Sequence, residues 1–449
     1  MLWFEAALLP GGWARDVRVE MRDGQIARVE AGVPALQGDE RHGIALPGLS
    51  NVHSHAFQRG MAGLAETRGP ADDDFWTWRE VMYHFLDRLT PEDVEAITAL
   101  AYAEMLERGF TRVGEFHYLH NDPAGLPYAD PSELASRVAS AAEQTGIGLT
   151  LLPVFYAHSN FGGASAKPGQ RRFLTNPESF ARLVEDSRKV ISALPDANIG
   201  VAAHSLRAVT PEELQQIVPL AAGGPLHIHA AEQTKEVDDC LAWSGTRPVE
   251  WLLDHAAIDY RWCLVHATHM TSQETERLAR SGAVAGLCPV TEANLGDGVF
   301  PARPYLDAGG HYGIGTDSNI RIGAGEELAM LEYAQRLAHR ARNLWPERQR
   351  ESTGRALFDG ALRGGAQAMG QPEPGLRVGS SADFLSLAAD DPALAGRRDD
   401  AILDSWIFAG AVIDCVWRRG RRLVSAGRHC ARDSVVVRYS EVLGRLLAA

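Results

Sequence analysis

The sequence is poor in cysteine. Its 449 residues include only five, Cys240, Cys263, Cys288, Cys415 and Cys430, and no two of them are close together. An odd number of scattered cysteines excludes a disulfide framework as the basis of the fold and a metal site built from thiolates. We expect all five to be packing residues.

Long apolar runs are also missing, since none approaches the roughly 18 residues of a membrane span. The N-terminal segment Met1–Glu5 lacks the basic and apolar stretches of a signal peptide. These two features predict a cytoplasmic protein that does not insert into a membrane.

Positive charge is in deficit. The chain has 44 basic and 58 acidic residues, and its formal net charge is −14. Nucleic acids and anionic membrane surfaces bind basic faces, so the sequence predicts neither as a partner. An anionic substrate would have to meet individual arginines in a local site.

The remaining composition is that of a globular protein, with 45% hydrophobic and 23% charged residues, over a length that exceeds one ordinary domain. Residues 1–46 have the pattern of short strands, two of them joined by the turn-forming pair Asp23-Gly24. Similar short strands return in residues 371–449, which end in a helix. The two chain ends therefore predict one small β-sandwich domain.

Residues 47–370 alternate apolar strand-like runs with helical stretches, as parallel βαβ units do. Eight such runs can be counted, at 46–55, 111–117, 148–156, 199–205, 225–230, 262–266, 283–287 and 312–316. A doubly wound sheet would show fewer strands and a glycine-rich first turn. The pattern therefore predicts an α/β fold with a (β/α)8 TIM barrel.

Histidine and acidic residues are concentrated at the ends of the predicted strands. Six of the eight runs end in such residues or lead directly into them: His53 and His55, Glu115 and His117, His204, His227 and His229, His266, and Asp317. In a barrel the carboxyl ends of the strands converge on one face, where active sites are built.

His53 and His55 are two residues apart, so on a strand both imidazoles point into the barrel. Together with His229 and Asp317 they give three nitrogen ligands and one oxygen ligand, a set that suits zinc or iron better than calcium. His227 competes with His229, but it lies two residues deeper and we expect it to pack in the layer below. Taken alone, His53 and His55 could equally be hydrogen-bonded core histidines.

Several motifs resemble the amidohydrolase superfamily. They are His53-Ser-His55, His229-Ala-Ala-Glu232, Val265-His266, Gly315-Thr-Asp317-Ser and the segment 375–384, which resembles the family's return into its β domain. Members with two metals carry a bridging lysine or glutamate after a middle strand, whereas here the third and fourth strands lead to His158 and Arg207. The resemblance therefore implies the mononuclear branch, with one zinc ion per chain and Fe²⁺ as the alternative.

Longer motifs resemble the N-formimidoyl-L-glutamate deiminase family of histidine degradation. They are Asn51-Val-His-Ser-His-Ala-Phe-Gln-Arg59, Phe75-Trp-Thr-Trp-Arg-Glu80, Glu115-Phe-His-Tyr118, His204-Ser-Leu-Arg-Ala-Val-Thr210, His229-Ala-Ala-Glu-Gln233 and Thr291-Glu-Ala-Asn-Leu-Gly296. The resemblance implies hydrolysis of N-formimidoyl-L-glutamate, a linear amidine, to N-formyl-L-glutamate and ammonia. In one departure, Asn319 stands where the family has a histidine after Asp-Ser.

The resemblance also implies three catalytic residues. Glu232 is expected to take a proton from the attacking water and pass it to the departing nitrogen. His266 is expected to orient the water and stabilise the tetrahedral intermediate, and Asp317 to accept a proton besides holding the metal. As alternatives, Glu232 could be a carboxylate that stabilises a helix N-terminus, and His266 a hydrogen-bonded core histidine.

A dicarboxylate substrate requires dedicated cations in so acidic a protein. Arg207 follows a barrel strand, and its guanidinium can hold a carboxylate through two hydrogen bonds. Arg79 follows the aromatic segment Phe75–Trp78, which could form a lid. Gln58 and Tyr118 add neutral donors, and His204 beside Arg207 completes the predicted substrate contacts.

Plainer interpretations remain for the aromatic segment. Arg79 could form an ion pair with Asp72, Asp73, Asp74 or Glu80. Trp76 and Trp78 could simply pack their helix.

Two other functions remain open. Another mononuclear zinc aminohydrolase, acting on a guanine-like ring, would need an aromatic slot and base-edge amides in place of carboxylate clamps. A metal-free scaffold would have lost its ligands, whereas all four are present together with Glu232 and His266. The resemblance further implies a homodimer.

Overall fold

The computed structural model describes residues 1–69, 73–346 and 350–448. Its strands are β1 (Leu2–Leu9), β2 (Gly12–Arg22), β3 (Gln25–Glu30), β4 (Glu40–Pro47), β5 (Leu49–Ser54), β6 (Phe110–His117), β7 (Gly148–Phe155), β8 (Asn198–Ile199), β9 (Val201–Ser205), β10 (Leu226–Ala230), β11 (Trp262–His266), β12 (Val284–Leu287), β13 (His311–Ile314), β14 (Phe384–Leu387), β15 (Ile413–Arg418), β16 (Arg421–Ser425) and β17 (Arg428–His429).

The α-helices are α1 (Phe75–Leu86), α2 (Pro91–Glu107), α3 (Glu133–Thr145), α4 (Pro177–Ile191), α5 (Pro211–Ile217), α6 (Thr234–Ser244), α7 (Pro248–His255), α8 (Ser272–Arg280), α9 (Pro289–Leu295), α10 (Ala302–Asp307), α11 (Ala324–His339), α12 (Thr353–Ala368), α13 (Asp400–Ala409) and α14 (Arg432–Ala448). Short 3-10 helices span Ala56–Met61, Pro168–Phe173, Val218–Ala221 and Pro392–Leu394.

Strands from both chain ends form one eight-stranded sheet, in the order β17-β16-β15-β14-β4-β1-β2-β3. Because β4 pairs antiparallel with β14, main-chain hydrogen bonds join the two ends of the chain. β2 and β3 are connected through Asp23 and Gly24, which both have positive φ, 53° and 81°. A type I′ turn requires this conformation, so the predicted hairpin is confirmed.

The other strands form a closed parallel barrel, in the order β6-β5-β13-β12-β11-β10-β9-β7-β8 with a further pairing between β6 and β7. The short β8 and β9 occupy one barrel position, since both pair with β7. Every residue of β6, β7, β10 and β11 is buried, as expected for strands with helices outside and side chains inside.

Capping residues determine where the helices around the barrel begin. α2, α4 and α5 each start at a proline that follows Thr90, Asn176 or Thr210, and each of these side chains accepts a main-chain hydrogen bond from the first turn. These caps fix the residue at which each helix begins. They therefore also fix where the preceding loop ends.

The predicted (β/α)8 barrel is confirmed, and so is a β domain built from both chain ends. The prediction described this domain as a β-sandwich, and its strands form one eight-stranded sheet. The eight predicted runs coincide with β5 to β13 within a few residues, whereas β1, β4 and α13 were not located from the sequence. The domain boundaries after residues 46 and 370 stay predictions.

All five cysteines are free thiols, of which four are buried and Cys430 is exposed. The expectation that all five are packing residues is therefore wrong for Cys430, which lies between β17 and α14. Within the described residues, no helix is both long enough and apolar enough to span a membrane.

Candidate metal centre and active site

Four buried side chains converge at the carboxyl ends of the barrel strands. His53 Nε2 lies 3.1 Å from His55 Nε2 and 3.0 Å from His229 Nε2. Asp317 Oδ1 lies 3.4 Å from His53 Nε2 and 3.3 Å from His55 Nε2. The structure thus brings the four predicted ligands together, while His227 lies deeper and contacts the Ala368 carbonyl through Nε2, at 2.9 Å.

Hydrogen bonds behind two of these imidazoles show which ring nitrogen carries the proton. His55 Nδ1 lies 3.0 Å from the Phe116 carbonyl oxygen, and His229 Nδ1 lies 2.9 Å from the His204 carbonyl oxygen. A carbonyl can only accept, so each Nδ1 donates and each Nε2 presents a lone pair.

This donor set fits a metal ion. Lone pairs and a carboxylate oxygen that face one another at 3.0–3.4 Å repel unless a cation lies between them. In a tetrahedral zinc site with bonds of about 2.0–2.1 Å, the ligand atoms lie about 3.3 Å apart. The spacing of the four residues therefore suits an ion of this size.

The protonation states fit as well. Burial lowers the pKa of His53, His55 and His229, to about 3 for His55, so these imidazoles are neutral. Burial alone would raise the pKa of Asp317, but the hydrogen-bonding contact with His53 and the charge of His266 outweigh it and hold that pKa below its ordinary value. Neutral imidazoles and an ionised carboxylate are the forms that bind metals.

Asn319 fixes the loop that carries Asp317. Both residues have left-handed backbone, with φ of 55° and 43°, a conformation that asparagine and aspartate tolerate better than most residues. The buried Asn319 amide donates to Ser54 Oγ at 3.1 Å and to the Asp317 carbonyl at 3.0 Å, and its Oδ1 accepts from Thr316 Oγ1 at 2.6 Å. The departure from the family's histidine thus leaves a residue that joins this loop to β5.

Glu232 and His266 lie beside the four ligands and are both buried. His266 Nε2 is 3.7 Å from Glu232 Oε1 and 3.9 Å from Asp317 Oδ2. Burial raises the pKa of Glu232, although His266 and Arg207 act in the opposite direction. Burial alone would lower the pKa of His266, but the surrounding carboxylates raise it above its ordinary value.

Arg207 is buried, with a relative exposure of 5%. Its Nε and Nη2 have no hydrogen-bond partner within the described part of the chain. The carboxylate of Glu232 is 3.9 Å from Nη2, too far for a hydrogen bond. Arg207 therefore has donors available for a ligand.

Arg79, on α1, donates from Nε to the Tyr83 hydroxyl and from Nη2 to the Tyr156 hydroxyl, the latter at 2.9 Å. Among residues 1–69, 73–346 and 350–448 it has no ion pair with a carboxylate, so the alternatives Asp73, Asp74 and Glu80 are wrong. Asp72, the fourth alternative, lies outside the described residues.

Trp76 is close to both arginines. The Cζ of Arg79 is 5.6 Å from the Trp76 ring centroid, and the Cζ of Arg207 is 5.5 Å from it. Both distances are within the range of cation–π attraction, so the indole ring holds the two guanidinium groups near each other.

The remaining predicted substrate contacts surround the same space. Gln58 Nε2 donates to the Tyr118 hydroxyl at 2.8 Å, and Gln58 Oε1 has no partner within the described residues. The His204 ring packs against Tyr156 and His229, with centroids 4.7 Å and 4.8 Å away.

Two neighbouring cavities share Arg79 and Arg207 in their walls. The inner cavity, of about 40 Å³, is lined by His55, His229, Glu232 and Asp317 among others. The outer cavity, of about 420 Å³, is lined by residues that include Trp76, Lys167 and Lys235. A third cavity, of about 900 Å³, lies at the opposite end of the barrel, near the starts of β10, β11 and β13, and does not reach the converging ligands.

Residues 44–423 match the family described as "Amidohydrolase family". The chain belongs to the amidohydrolase family. Residues 2–43, which form most of the N-terminal part of the sheet, match "Formimidoylglutamate deiminase HutF, N-terminal domain".

Relatives of this amidohydrolase cover its whole length. It is 50% identical to the formimidoylglutamate deiminase of Pseudomonas aeruginosa, with 99% of each chain aligned. It is 57% identical to an amidohydrolase from Brucella melitensis, whose crystal structure superposes with a TM-score of 0.97 over 99% of each chain. An adenosine deaminase from Xanthomonas campestris with bound zinc shares the fold at 20% identity, with a TM-score of 0.81 over 100% of this chain and 98% of the other.

One residue of this amidohydrolase site was missed in the sequence. Glu292 Oε1 lies 3.2 Å from His266 Nδ1, on the side of the ring away from Glu232. The sequence motif that contains it, Thr291–Gly296, was identified, but a glutamate this close to the start of a helix is ordinarily interpreted as a helix cap. The contact depends on how α9 packs over the end of β11, which the sequence does not show.

Proposed function

We propose that this amidohydrolase hydrolyses N-formimidoyl-L-glutamate to N-formyl-L-glutamate and ammonia, as a step of histidine degradation. The observation that carries the proposal is Arg207, a buried guanidinium with two unpartnered donor atoms beside the converging histidines. A buried cation requires an anionic partner, which a dicarboxylate supplies and a guanine-like ring does not. The 50% identity to a formimidoylglutamate deiminase supports the same substrate.

His53, His55, His229 and Asp317 would hold one zinc ion. A bound zinc ion would lower the pKa of a water molecule to about 7, which would supply a nucleophile at neutral pH. Metal analysis of the purified protein should give one equivalent per chain, and two equivalents would contradict the mononuclear assignment.

Glu232 then moves the proton. Its carboxylate accepts a proton from the attacking water as the water oxygen bonds to the formimidoyl carbon, and it delivers that proton to the terminal nitrogen. Asp317 accepts the second water proton when the tetrahedral intermediate collapses and delivers it to the same nitrogen, which then carries the three hydrogens of ammonia. The bond from carbon to the terminal nitrogen breaks, ammonia leaves, and the formyl group stays on the glutamate nitrogen.

His266 stabilises the developing negative charge. Because carboxylates on both sides raise its pKa, the imidazole is protonated near neutral pH and can donate from Nε2. This atom is buried beside Glu232, where a charged donor acts more strongly than it would in bulk water.

The substrate's two carboxylates pair with Arg207 and Arg79, at the boundary of the two cavities. Gln58, Tyr118 and His204 supply neutral hydrogen-bonding groups around the amidine. Such a pocket suits a short, flexible dianion.

Ammonia release by the zinc-loaded protein tests the proposal. N-formimidoyl-L-glutamate should be turned over, whereas N-formimidoyl-L-glutamine, which exchanges one carboxylate for an amide, should be a poor substrate. Faster turnover of guanine would contradict the dicarboxylate proposal and favour the alternative aminohydrolase.

We also infer that the enzyme acts in the cytoplasm as a homodimer. The five free thiols suit a reducing compartment such as the cytoplasm. The homodimer is inferred from the resemblance to the family. Sedimentation equilibrium should give twice the chain mass of 48.8 kDa. A single species of chain mass would contradict the dimer.

A further inference from the structure

The imidazole of His266 is held from both sides. Nε2 faces Glu232 and Asp317, at 3.7 Å and 3.9 Å, while Nδ1 faces Glu292 at 3.2 Å. The ring also stacks on His229, with centroids 5.5 Å apart and planes at 13°. Only the contact with Glu292 is of hydrogen-bonding length.

Glu292 is itself fixed in place. It is buried, with a relative exposure of 4%, in the first turn of α9. Its Oε1, the atom that faces His266, also accepts the Cys288 main-chain N–H at 2.9 Å.

We propose that Glu292 is a positioning residue for the deimination reaction, because it accepts the Nδ1 proton of His266 and so leaves Nε2 directed at the reacting atoms. The proposal rests on the proposed function, in which His266 stabilises the intermediate. A protonated imidazole carries a proton on each nitrogen, and a carboxylate that accepts from Nδ1 fixes the ring so that the Nε2–H faces the reacting atoms. Without this partner the ring could also turn within its pocket.

The chain offers a matched control for the simpler view that Glu292 only caps a helix. Glu213 lies in the first turn of α5, as its third residue where Glu292 is the fourth of α9, and both helices are seven residues long with proline at the start. Its Oε2 accepts the Thr210 N–H at 2.8 Å and lies 2.9 Å from His158 Nε2, a histidine outside both site cavities. Replacing either glutamate removes a cap and a histidine contact, but only Glu292 contacts the active site.

The test compares Glu292→Leu with Glu213→Leu. Glu292→Leu should lower kcat by about 10- to 100-fold, as loss of a partner behind an active-site imidazole does, with little change in KM. Glu292→Gln keeps an acceptor oxygen and should recover part of the loss. Glu213→Leu should leave kcat within about twofold of the wild type, and both leucine variants should keep their zinc.

A double-mutant cycle shows whether Glu292 acts through His266. In a His266→Asn background, Glu292→Leu should change kcat by less than about twofold, because the group that it positions is gone. Equal losses in both backgrounds, or an equal loss in Glu213→Leu, would overturn the proposal.

Nitrogen NMR of histidine-labelled protein gives a readout independent of turnover. The His266 signals, identified by their loss in His266→Asn, should show a protonated Nδ1 in the wild type and a changed proton distribution in Glu292→Leu. Unchanged signals would overturn the proposal. A wild-type protein inactive on N-formimidoyl-L-glutamate would instead contradict the proposed function. The NMR comparison would still show whether Glu292 accepts the Nδ1 proton of His266.

Discussion

Buried carboxyl groups at the carboxyl end of the barrel differ in charge because their neighbours differ. Burial raises the pKa of Glu115 to about 8, since its nearest partners are uncharged hydrogen-bond donors. Burial raises the pKa of Glu232 as well, whereas Asp317 faces three histidines that lower its pKa. Asp317 is thus suited to binding a cation and Glu232 to carrying a proton, although both side chains are carboxylic acids.

Glu232→Gln tests the proton carrier. The amide has the same shape but cannot accept and return a proton, so kcat should fall by about 10² to 10⁴-fold. Zinc content should stay at one equivalent, since Glu232 is not among the four converging ligands. Unchanged turnover would remove Glu232 from the mechanism.

Arg207→Met tests the carboxylate partner. A substrate carboxylate left unpaired in this buried site should cost about 3 to 5 kcal/mol. This corresponds to a loss of about 10² to 10⁴-fold in kcat/KM for N-formimidoyl-L-glutamate, at 1.36 kcal/mol per decade. Arg207→Lys should recover only part of the loss, because an ammonium keeps the charge but not the planar pair of donors.

The control for Arg207→Met is Arg188→Met. Arg188 is a partly buried arginine on α4 that contacts the Leu220 carbonyl and lies outside both site cavities. Its replacement should leave kcat/KM unchanged. If Arg207→Met also leaves kcat/KM unchanged, the proposed pairing of Arg207 with a substrate carboxylate is wrong.

At the scale of elements, α1 positions much of the substrate pocket, because it carries Trp76 and Arg79. The helix begins at a capping box in which the Asp74 side chain accepts the N–H groups of Trp76 and Thr77, at 2.8 Å and 3.1 Å. Loss of such a cap costs about 0.5 to 2 kcal/mol. This loss would destabilise the first turn of the helix, where Trp76 lies.

Asp74→Ala should therefore raise KM more than it lowers kcat, since the metal ligands and Glu232 lie on other elements. The matched variant is Thr90→Ala, which removes the capping box of α2, a helix without any proposed substrate contact. Steady-state kinetics should show the KM effect in Asp74→Ala alone. Equal KM values in the two variants would mean that the start of α1 does not position the pocket.

The barrel elements could be predicted from the sequence because each strand is a local apolar run that ends in polar residues. β1 and β4 could not, since their place in the sheet depends on distant partners: β4 pairs with β14, where Leu46 lies opposite Leu385. α13 was not located either, although Asp399 precedes it, and in the structure this side chain makes no capping hydrogen bond. The four converging side chains were predicted from their positions at strand ends, whereas the contact of Glu292 with His266 depends on the packing of a helix and remained hidden.

At the scale of the whole molecule, the net charge of −14 opposes the approach of a dianion. Binding energy must therefore come from cations inside the barrel, such as Arg207, which is buried with two donor atoms that have no hydrogen-bond acceptor among the described residues. The same interior keeps several histidines neutral, including His117 and His120, which belong to neither the ligand set nor the substrate pocket. These histidines make the stability of the whole protein depend on pH.

His120 allows this dependence to be measured apart from the metal centre. It is buried, its Nε2 donates to the Val154 carbonyl at 2.9 Å, and burial lowers its pKa to about 4. An unfolded histidine has a pKa of about 6.5. Between these two values the unfolded chain binds a proton that the folded chain does not, so the stability that neutral His120 contributes is complete above pH 6.5 and is lost as the pH falls toward 4.

For this single group, linkage gives a loss of about 2 kcal/mol in the free energy of unfolding between pH 7 and pH 5. His120→Gln keeps a donor for the Val154 carbonyl and cannot be protonated, so its stability should fall less steeply over the same range. Release of metal in acid affects both proteins equally, and the difference between their urea midpoints at each pH isolates His120. If the two proteins lose stability in parallel from pH 7 to pH 5, His120 does not titrate on unfolding, and the acid sensitivity of the fold must come from other groups.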